Sequence, residues 1–142
     1  MSETTLKFLE VLATAFDEGR LMDLARHYAF PMPAYTKDDL LVFGSADTLV
    51  EGLSIYRDIA TEAGIIRVKP RIVAEGLRIN NYSNLWVEWD HLDAAGVCKR
   101  TSQVRYVLRF EPHCAMPLIE LVEYMVPAFP EIAAHLPLVY TG

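Results

Sequence analysis

The stretch LWVEWDHLDAAGVCKRTSQVRYVLRF, Leu85 to Phe110, reads as two long strands folded back on each other around a short turn, and its reading decides the fold. Asp93-Ala94-Ala95-Gly96 suits a three-residue hairpin loop, a type I turn begun by Asp93 and closed by Gly96 in the left-handed region that glycine tolerates. A two-residue loop would demand positive φ at both Ala94 and Ala95, and is rejected. Strand side chains alternate between faces, so the loop sets which residues share a face, and a slip of one residue reverses them all. The three-residue loop predicts Trp86 opposite Val104, Glu88 opposite Ser102 and Asp90 opposite Arg100, on a face shared with Tyr106, Leu108 and Phe110. That face, apolar at one end and charged at the other, is expected to floor a pocket. Leu85, Val87, Trp89 and His91, with Lys99, Thr101, Gln103 and Arg105, are expected on an amphipathic outer surface. Asp90 and Arg100 are expected to form a cross-strand ion pair near the tip, a contact of about 0.2–1 kcal/mol.

Further strands surround this hairpin. From Ile65 onward the helical period disappears, and β-branched and aromatic residues arrive in four runs: IIRVKPRIVAEGLRI, NLWVEWDHL, VCKRTSQVRYVLRF and LIELVEYMV. Short connections at Asn80-Asn81, Gly96 and Glu111-Pro112-His113 predict antiparallel neighbours, and Pro70 and Gly76 offer places to bend. Pro127 and Pro130 end the last strand before a short helical turn from Glu131 to His135.

Helices come first in the chain. Ser2 can cap a helix whose apolar positions Leu6, Leu9, Leu12, Ala13 and Phe16 recur at three and four residues, with Gly19 as its stop. A shorter helix runs from Leu21 to about Tyr28. Pro31 and Pro33 then forbid helix and central strand alike, so FPMPAYT is predicted as an edge strand paired with LLVFG across Thr36-Lys37-Asp38-Asp39. Ser45 caps a third helix striped by Leu49, Leu53, Tyr56 and Ala60, with Asp47 near its positive end and Gly64 as its stop. Such a stripe should lie flat on a sheet, and a bent sheet wrapped around a long helix makes a cone.

Size and charge narrow the function classes. The 142 residues suit one domain spanning 1–142, long enough to close a single sizeable core. Hydrophobic residues make up 52% of the chain and no run is long enough for a membrane span, while MSETTLKF carries an acid where a secretion signal needs bases. The expectation is a cytoplasmic protein used at full length, without a membrane partner. A net charge of −6 argues against nucleic acid as a partner, because phosphate backbones need a basic stripe. Cys98 and Cys114 fit neither a zinc pattern nor a disulfide framework and are read as small buried or strand residues. No two histidines have metal-ligand spacing, and GxGxxG, Walker and GxSxG patterns are all missing, so neither a metal nor a nucleotide cofactor is implied. His27 is read as a helix-end cap, and His91 as outward-facing.

The order helix, helix, strand pair, long helix and antiparallel meander resembles the nuclear transport factor 2-like superfamily over about residues 5 to 128. Local echoes are LARHYAFPMP, NLWVEWDHLDAAG and the closing strand LIELVEYMVPAF. The superfamily includes ketosteroid isomerases, scytalone dehydratases and SnoaL-like polyketide cyclases. The resemblance implies an α+β cone, in which a strongly curved antiparallel sheet wraps three N-terminal helices around a ligand cavity, and often dimerises through the outer sheet. The steroid isomerases use a helix tyrosine and carboxyl groups in an apolar cavity, and Tyr28 and Glu88 are the residues here that could take those parts.

Glu88 on a face with Trp86 and Tyr106 would be desolvated, which raises a carboxyl and suits it to general acid or base work. The plainer reading places it at a wet mouth or in a pair with Arg71, Arg100 or Lys99. Tyr28, Phe30, Tyr56, Trp86, Tyr106 and Tyr124 are the candidate walls for a small apolar or aromatic ligand, two or three of them reaching the cavity and the rest serving as core. Three functions compete. One is a cofactor-independent isomerase, dehydratase or cyclase, the second a non-catalytic ligand carrier, and the third an interaction module that joins copies through an outer face of Leu85, Val87 and Trp89. A homodimer through that face is expected.

Overall fold

Helix boundaries fall where single residues force them. The computed structural model describes residues 3–134, so the cap at Ser2 and the end of the last turn at His135 lie outside the described residues. Helix α1, Glu3–Asp17, buries Phe8, Leu9 and Leu12 and stops before Gly19, whose φ is +73°. Helix α2 is only Leu21–Ala25. Helix α3, Ala46–Glu62, opens with a reciprocal cap: Ser45 Oγ accepts from the Thr48 N–H at 3.3 Å and Thr48 Oγ1 accepts from the Ser45 N–H at 3.2 Å. Replacing such a cap by alanine costs about 0.5–2 kcal/mol.

Six strands form one open, mixed sheet in the order β2-β1-β6-β5-β4-β3. They are β1 (Met32–Tyr35), β2 (Leu40–Phe43), β3 (Ile65–Glu75), β4 (Tyr82–Asp93), β5 (Cys98–Arg109) and β6 (Leu118–Val126). β3 to β6 run as the expected antiparallel meander, and the Asn80-Asn81 turn has φ of 51° and 67°, the left-handed pair that a two-residue hairpin requires. β1 departs from the expected edge position. It pairs antiparallel with β2 and also parallel with β6, but the second ladder begins only at Ala34, beyond both prolines. A 3₁₀ turn, Pro130–Ala134, follows β6. Both cysteines are exposed rather than buried, Cys98 at the start of β5 and Cys114 in the following connection.

Register shifts interrupt every ladder of the meander, and each one bends the sheet. The helices lie on its inner side, α1 against β3 and α3 reaching β3, β2 and the 3₁₀ turn. This is the expected α+β cone, and its main core joins Phe8, Leu9, Leu85, Val87, Leu108 and Ile119.

One shift matters more than the rest. The hairpin tip is the predicted three-residue loop: the Asp93 N–H donates to Val97 O at 3.0 Å, Gly96 has φ +79°, and Leu92 pairs with Cys98. The next pair, however, is His91 with Arg100, so Lys99 is an unpaired bulge residue on β5. Beyond it Leu85 opposes Tyr106, Val87 opposes Val104 and Trp89 opposes Ser102. The faces of β4 are thereby exchanged relative to the sequence expectation, while those of β5 stay as predicted. Leu85, Val87, Trp89 and His91 are buried; Trp86, Glu88 and Asp90 lie on the outer face.

Candidate functional site

Between the helices and the inner face of the sheet lies a hollow of about 430 Å³. Leu12 and Phe16 of α1 and Leu49, Leu53 and Tyr56 of α3 form one wall, and the β1–β2 turn, Thr36 to Asp39, forms part of the rim. Trp89, His91, Ser102, Val104, Tyr106 and Tyr124 supply the floor. Pro127 to Pro130 and Ile132 contribute from beyond β6. The Lys99 bulge turns Trp89 and His91 into this space, because without it β4 would present Trp86, Glu88 and Asp90.

The polar groups of the floor are linked in a chain. The Trp89 indole N–H donates to Tyr106 Oη at 2.9 Å. His91 Nδ1 lies 3.1 Å from the main-chain carbonyl of Trp89, an atom that only accepts, so Nδ1 carries the proton. Burial depresses the His91 pKa, and the ring is neutral near pH 7. Nε2 is then an acceptor, and Tyr56 Oη donates to it at 2.6 Å.

Tyr28, Tyr56, Tyr106 and Tyr124 all line the hollow, and burial is the first cause that pushes each phenol above its ordinary 10, Tyr124 to about 12. A second cause for Tyr28 and Tyr56 is the neighbouring Tyr124, and for Tyr106 it is first Tyr28 and then Tyr124, since an ionised phenol would oppose its neighbours. All four are therefore hydroxyls, not phenolates, at neutral pH. The hydroxyls of Tyr28 and Tyr124 make no hydrogen bond among the described residues.

Phe129 closes one side of the couple, its ring 5.7 Å from that of Tyr56 and 5.6 Å from that of His91. Arg100 holds Phe129 in turn. Its guanidinium lies 4.7 Å from the Phe129 ring centre and donates to Ala128 O at 2.9 Å, so it is anchored to the segment after β6 and not paired with Asp90 as expected.

Of the residues singled out in the sequence, the structure brings Tyr28, Tyr56, Tyr106 and Tyr124 together around the hollow. Phe30 packs against the main core without lining it. Trp86 and Glu88 stand on the opposite side of the sheet, for the single reason that Lys99 shifts the register. Glu88 accepts from Arg71 at 2.9 Å and from Gln103 at 3.2 Å, the Arg71 pairing being one of its plainer readings. Asp90 takes two bonds from the same Arg71, at 2.7 and 2.9 Å, and one from Thr101 at 2.9 Å. The Arg71 guanidinium holds the Asp90 carboxyl below its ordinary range.

The inward Trp89 and His91 were not anticipated, although the run Leu85, Val87, Trp89, His91 is more apolar than Trp86, Glu88, Asp90 and so signals the buried side. Among the described residues no cluster of three or more His, Cys, Asp or Glu side chains could hold a metal ion, and no helix is long and apolar enough to cross a membrane.

Solved structures share this architecture. An NTF-2 like protein of unknown function from Shewanella oneidensis MR-1 is 13% identical in sequence, with a TM-score of 0.63 over 87% of this chain and 97% of the other. An ntf2-like protein with a cystatin-like fold from Novosphingobium aromaticivorans is 10% identical, with a TM-score of 0.62 over 95% of this chain and 87% of its own. This is the nuclear transport factor 2-like fold. A third example of similar shape is a putative calcium/calmodulin dependent protein kinase II association domain from Xanthomonas campestris, 13% identical at a TM-score of 0.59 over 87% of this chain and 84% of the other. No protein-family model and no curated protein sequence matches the chain. At these identities the nuclear transport factor 2-like likeness is one of fold, and the reading of the site rests on its own side chains.

Proposed function

We propose that this nuclear transport factor 2-like chain binds a small, largely apolar molecule in the hollow. The observation that carries the reading is a space of about 430 Å³ walled by leucines and aromatic rings, with a few polar edges aimed into it. Sites of a few hundred Å³ with this mix of apolar walls and convergent hydroxyls are the common form of small-molecule pockets. A panel of neutral mono- and bicyclic aromatic compounds, screened by thermal shift, tests it, since a ligand of the native state raises its melting temperature. Ser102→Phe, which thrusts a ring into the floor, should abolish those shifts while the variant stays folded by circular dichroism. Shifts that survive in Ser102→Phe, or a panel without any, would refute binding in the hollow.

Acid–base turnover of the bound molecule is the second reading, and the Tyr56–His91 couple favours it over any carboxylate. A neutral imidazole with its lone pair toward a phenol can take up a proton passed through that phenol. Uptake of solvent deuterium by an enolisable aromatic ketone, lost in His91→Gln, would support turnover; binding without exchange would leave a carrier.

The outer face is the proposed contact between two copies of the chain. Trp86, Val107 and Leu121 form a half-buried apolar stripe there, with Val107 and Leu121 directly paired. Light scattering at micromolar concentration should give a dimer that Trp86→Asp converts to monomer, and a monomeric parent protein would end this proposal.

A further inference from the structure

Hydrogen bonding inside the hollow is directional. Tyr106 Oη is an acceptor for the Trp89 indole, at 2.9 Å, so its own proton is uncommitted and the indole polarises the phenol toward donating it. Tyr56 is the reverse case. Its proton is committed to His91 Nε2 at 2.6 Å, and its oxygen keeps lone pairs for another donor. One group lies on the floor, in β5, and the other on α3, so a ligand in the space can meet a donor on the sheet and an acceptor on the helix.

Charge is distributed just as unevenly. The charged lining residues, neutral His91 aside, are Lys37, Asp38 and Asp39, all exposed in the β1–β2 turn at the rim. An anionic group pressed against the floor would touch phenols and apolar walls and no charged side chain, since Arg100, the cation near the Tyr56–His91 couple, lies against Phe129 and donates to Ala128 O; such contact is costly for an anion. A plain hydrocarbon would strand the Tyr106 proton, and sites built around a hydrogen bond discriminate strongly against analogues that cannot make it.

We infer that the hollow selects a neutral, ring-containing molecule with a carbonyl oxygen to accept from Tyr106 and a hydroxyl to donate to Tyr56. This rests on the reading of the hollow as a ligand site and adds the class of ligand to it. The ring system is favoured by the aromatic lining of Phe16, Tyr28, Tyr124 and Phe129, which offers area at little cost in side-chain freedom.

Four compounds of one bicyclic frame make the test: a hydroxytetralone, the tetralone lacking its hydroxyl, the tetrahydronaphthol lacking its carbonyl, and a hydroxynaphthoate. Isothermal titration of the full chain should rank the hydroxytetralone about tenfold tighter than either compound lacking one oxygen. The naphthoate should bind most weakly. Tyr106→Phe should erase the advantage of the hydroxytetralone over the tetrahydronaphthol, with the tetrahydronaphthol bound at least as tightly as before because no phenol proton is left stranded, which also shows that the variant is folded. Tyr56→Phe should erase the hydroxytetralone's advantage over the tetralone.

A naphthoate that binds as tightly as the hydroxytetralone overturns the class while the hollow remains a binding site. Four compounds that all fail, against a neutral panel that still shifts the melting temperature, refute the hydroxy-ketone assignment alone. A Tyr106→Phe variant that keeps the carbonyl preference would assign the donor to another residue and overturn the proposed orientation.

Discussion

β4 and β5 carry two chemistries, one on each side of the same sheet. On the inner side the polar groups are neutral, and three bonds link them in sequence, Trp89 to Tyr106, His91 to the Trp89 carbonyl, Tyr56 to His91. On the outer side they are ions: Arg71 with Glu88 and Asp90, Arg105 with Glu123 at 2.8 Å, Arg109 with Glu111 and Glu120. Burial drives the inner groups toward their uncharged forms, whereas Arg71 holds the outer Asp90 in its charged form. The contrast teaches where function and stability reside. Exposed ion pairs are worth about 0–1 kcal/mol each and tolerate change, whereas a buried neutral pair loses more when one partner is removed.

Sorting of the two chemistries depends on Lys99, and removing it is the harshest way to break the comparison. Deletion of Lys99 leaves two outcomes: a strained shorter loop, or a slipped ladder that turns Trp86, Glu88 and Asp90 inward and exposes Trp89 and His91. Burying two carboxylates away from Arg71 would consume much of the 5–15 kcal/mol that holds a typical domain together. The deletion variant should show no cooperative thermal unfolding by circular dichroism. Unfolding at the parental temperature would mean that something other than the bulge sets the faces.

The same residue explains what the sequence could and could not disclose. Gly96 and Asn80-Asn81 announce their turns by local backbone chemistry, and the caps at Ser45 and Gly64 do so as well, so strand and helix order were legible. Tyr56 on α3 and Tyr106 on β5 face the hollow because neither element depends on the bulge for its facing. The facing of β4 was not legible from the loop, since nothing local marks Lys99 as the unpaired residue. The alternation of Leu85, Val87, Trp89 and His91 against Trp86, Glu88 and Asp90 held the answer, and hydrophobic pattern deserved priority over loop geometry. The place of β1 beside β6 is a parallel pairing between residues far apart in the chain, with no short-range signature.

The next test separates the neutral couple from its surroundings. His91→Phe keeps an aromatic ring against Phe129 but leaves the Tyr56 hydroxyl without its acceptor. The loss should be about 1–3 kcal/mol in urea denaturation, and Tyr56→Phe should cost about 1 kcal/mol. The double variant should recover part of the sum, because the two groups act on each other. Strict additivity would show that the 2.6 Å contact contributes nothing of its own.

A pH series sharpens the comparison through two carboxyls. Asp17, at the end of α1, accepts from the Val68 N–H at 3.0 Å, and burial raises it from the ordinary 3.8 to about 6. Its folded value exceeds its unfolded one, so its stabilising contribution is complete below about pH 4 and disappears as pH rises through about 6. Asp90 runs the opposite way, contributing above the ordinary value and losing that contribution as pH falls. Asp17→Asn retains an oxygen for Val68 and cannot ionise. It should therefore stabilise the protein by up to about 1–3 kcal/mol at pH 7 and change little at pH 4. Equal effects at both pH values would remove Asp17 as the source of the dependence.

Glu88→Gln is the mildest of these changes and bears most directly on the site. Its carboxylate partners Arg71, whose side chain is 50% exposed, and Arg71 keeps both bonds to Asp90 when Glu88 becomes neutral. The amide oxygen of the new side chain can still accept from Gln103. A cost of at most about 0.5–1 kcal/mol is expected in urea denaturation, with ligand-induced thermal shifts unchanged. A catalytic or binding carboxylate would respond otherwise, since loss of its charge would alter affinity or turnover while stability stayed level. Weakened binding in Glu88→Gln at parental stability would place this side chain in contact with the ligand, and the division between a neutral interior and an ionic exterior would then fail at its most accessible point.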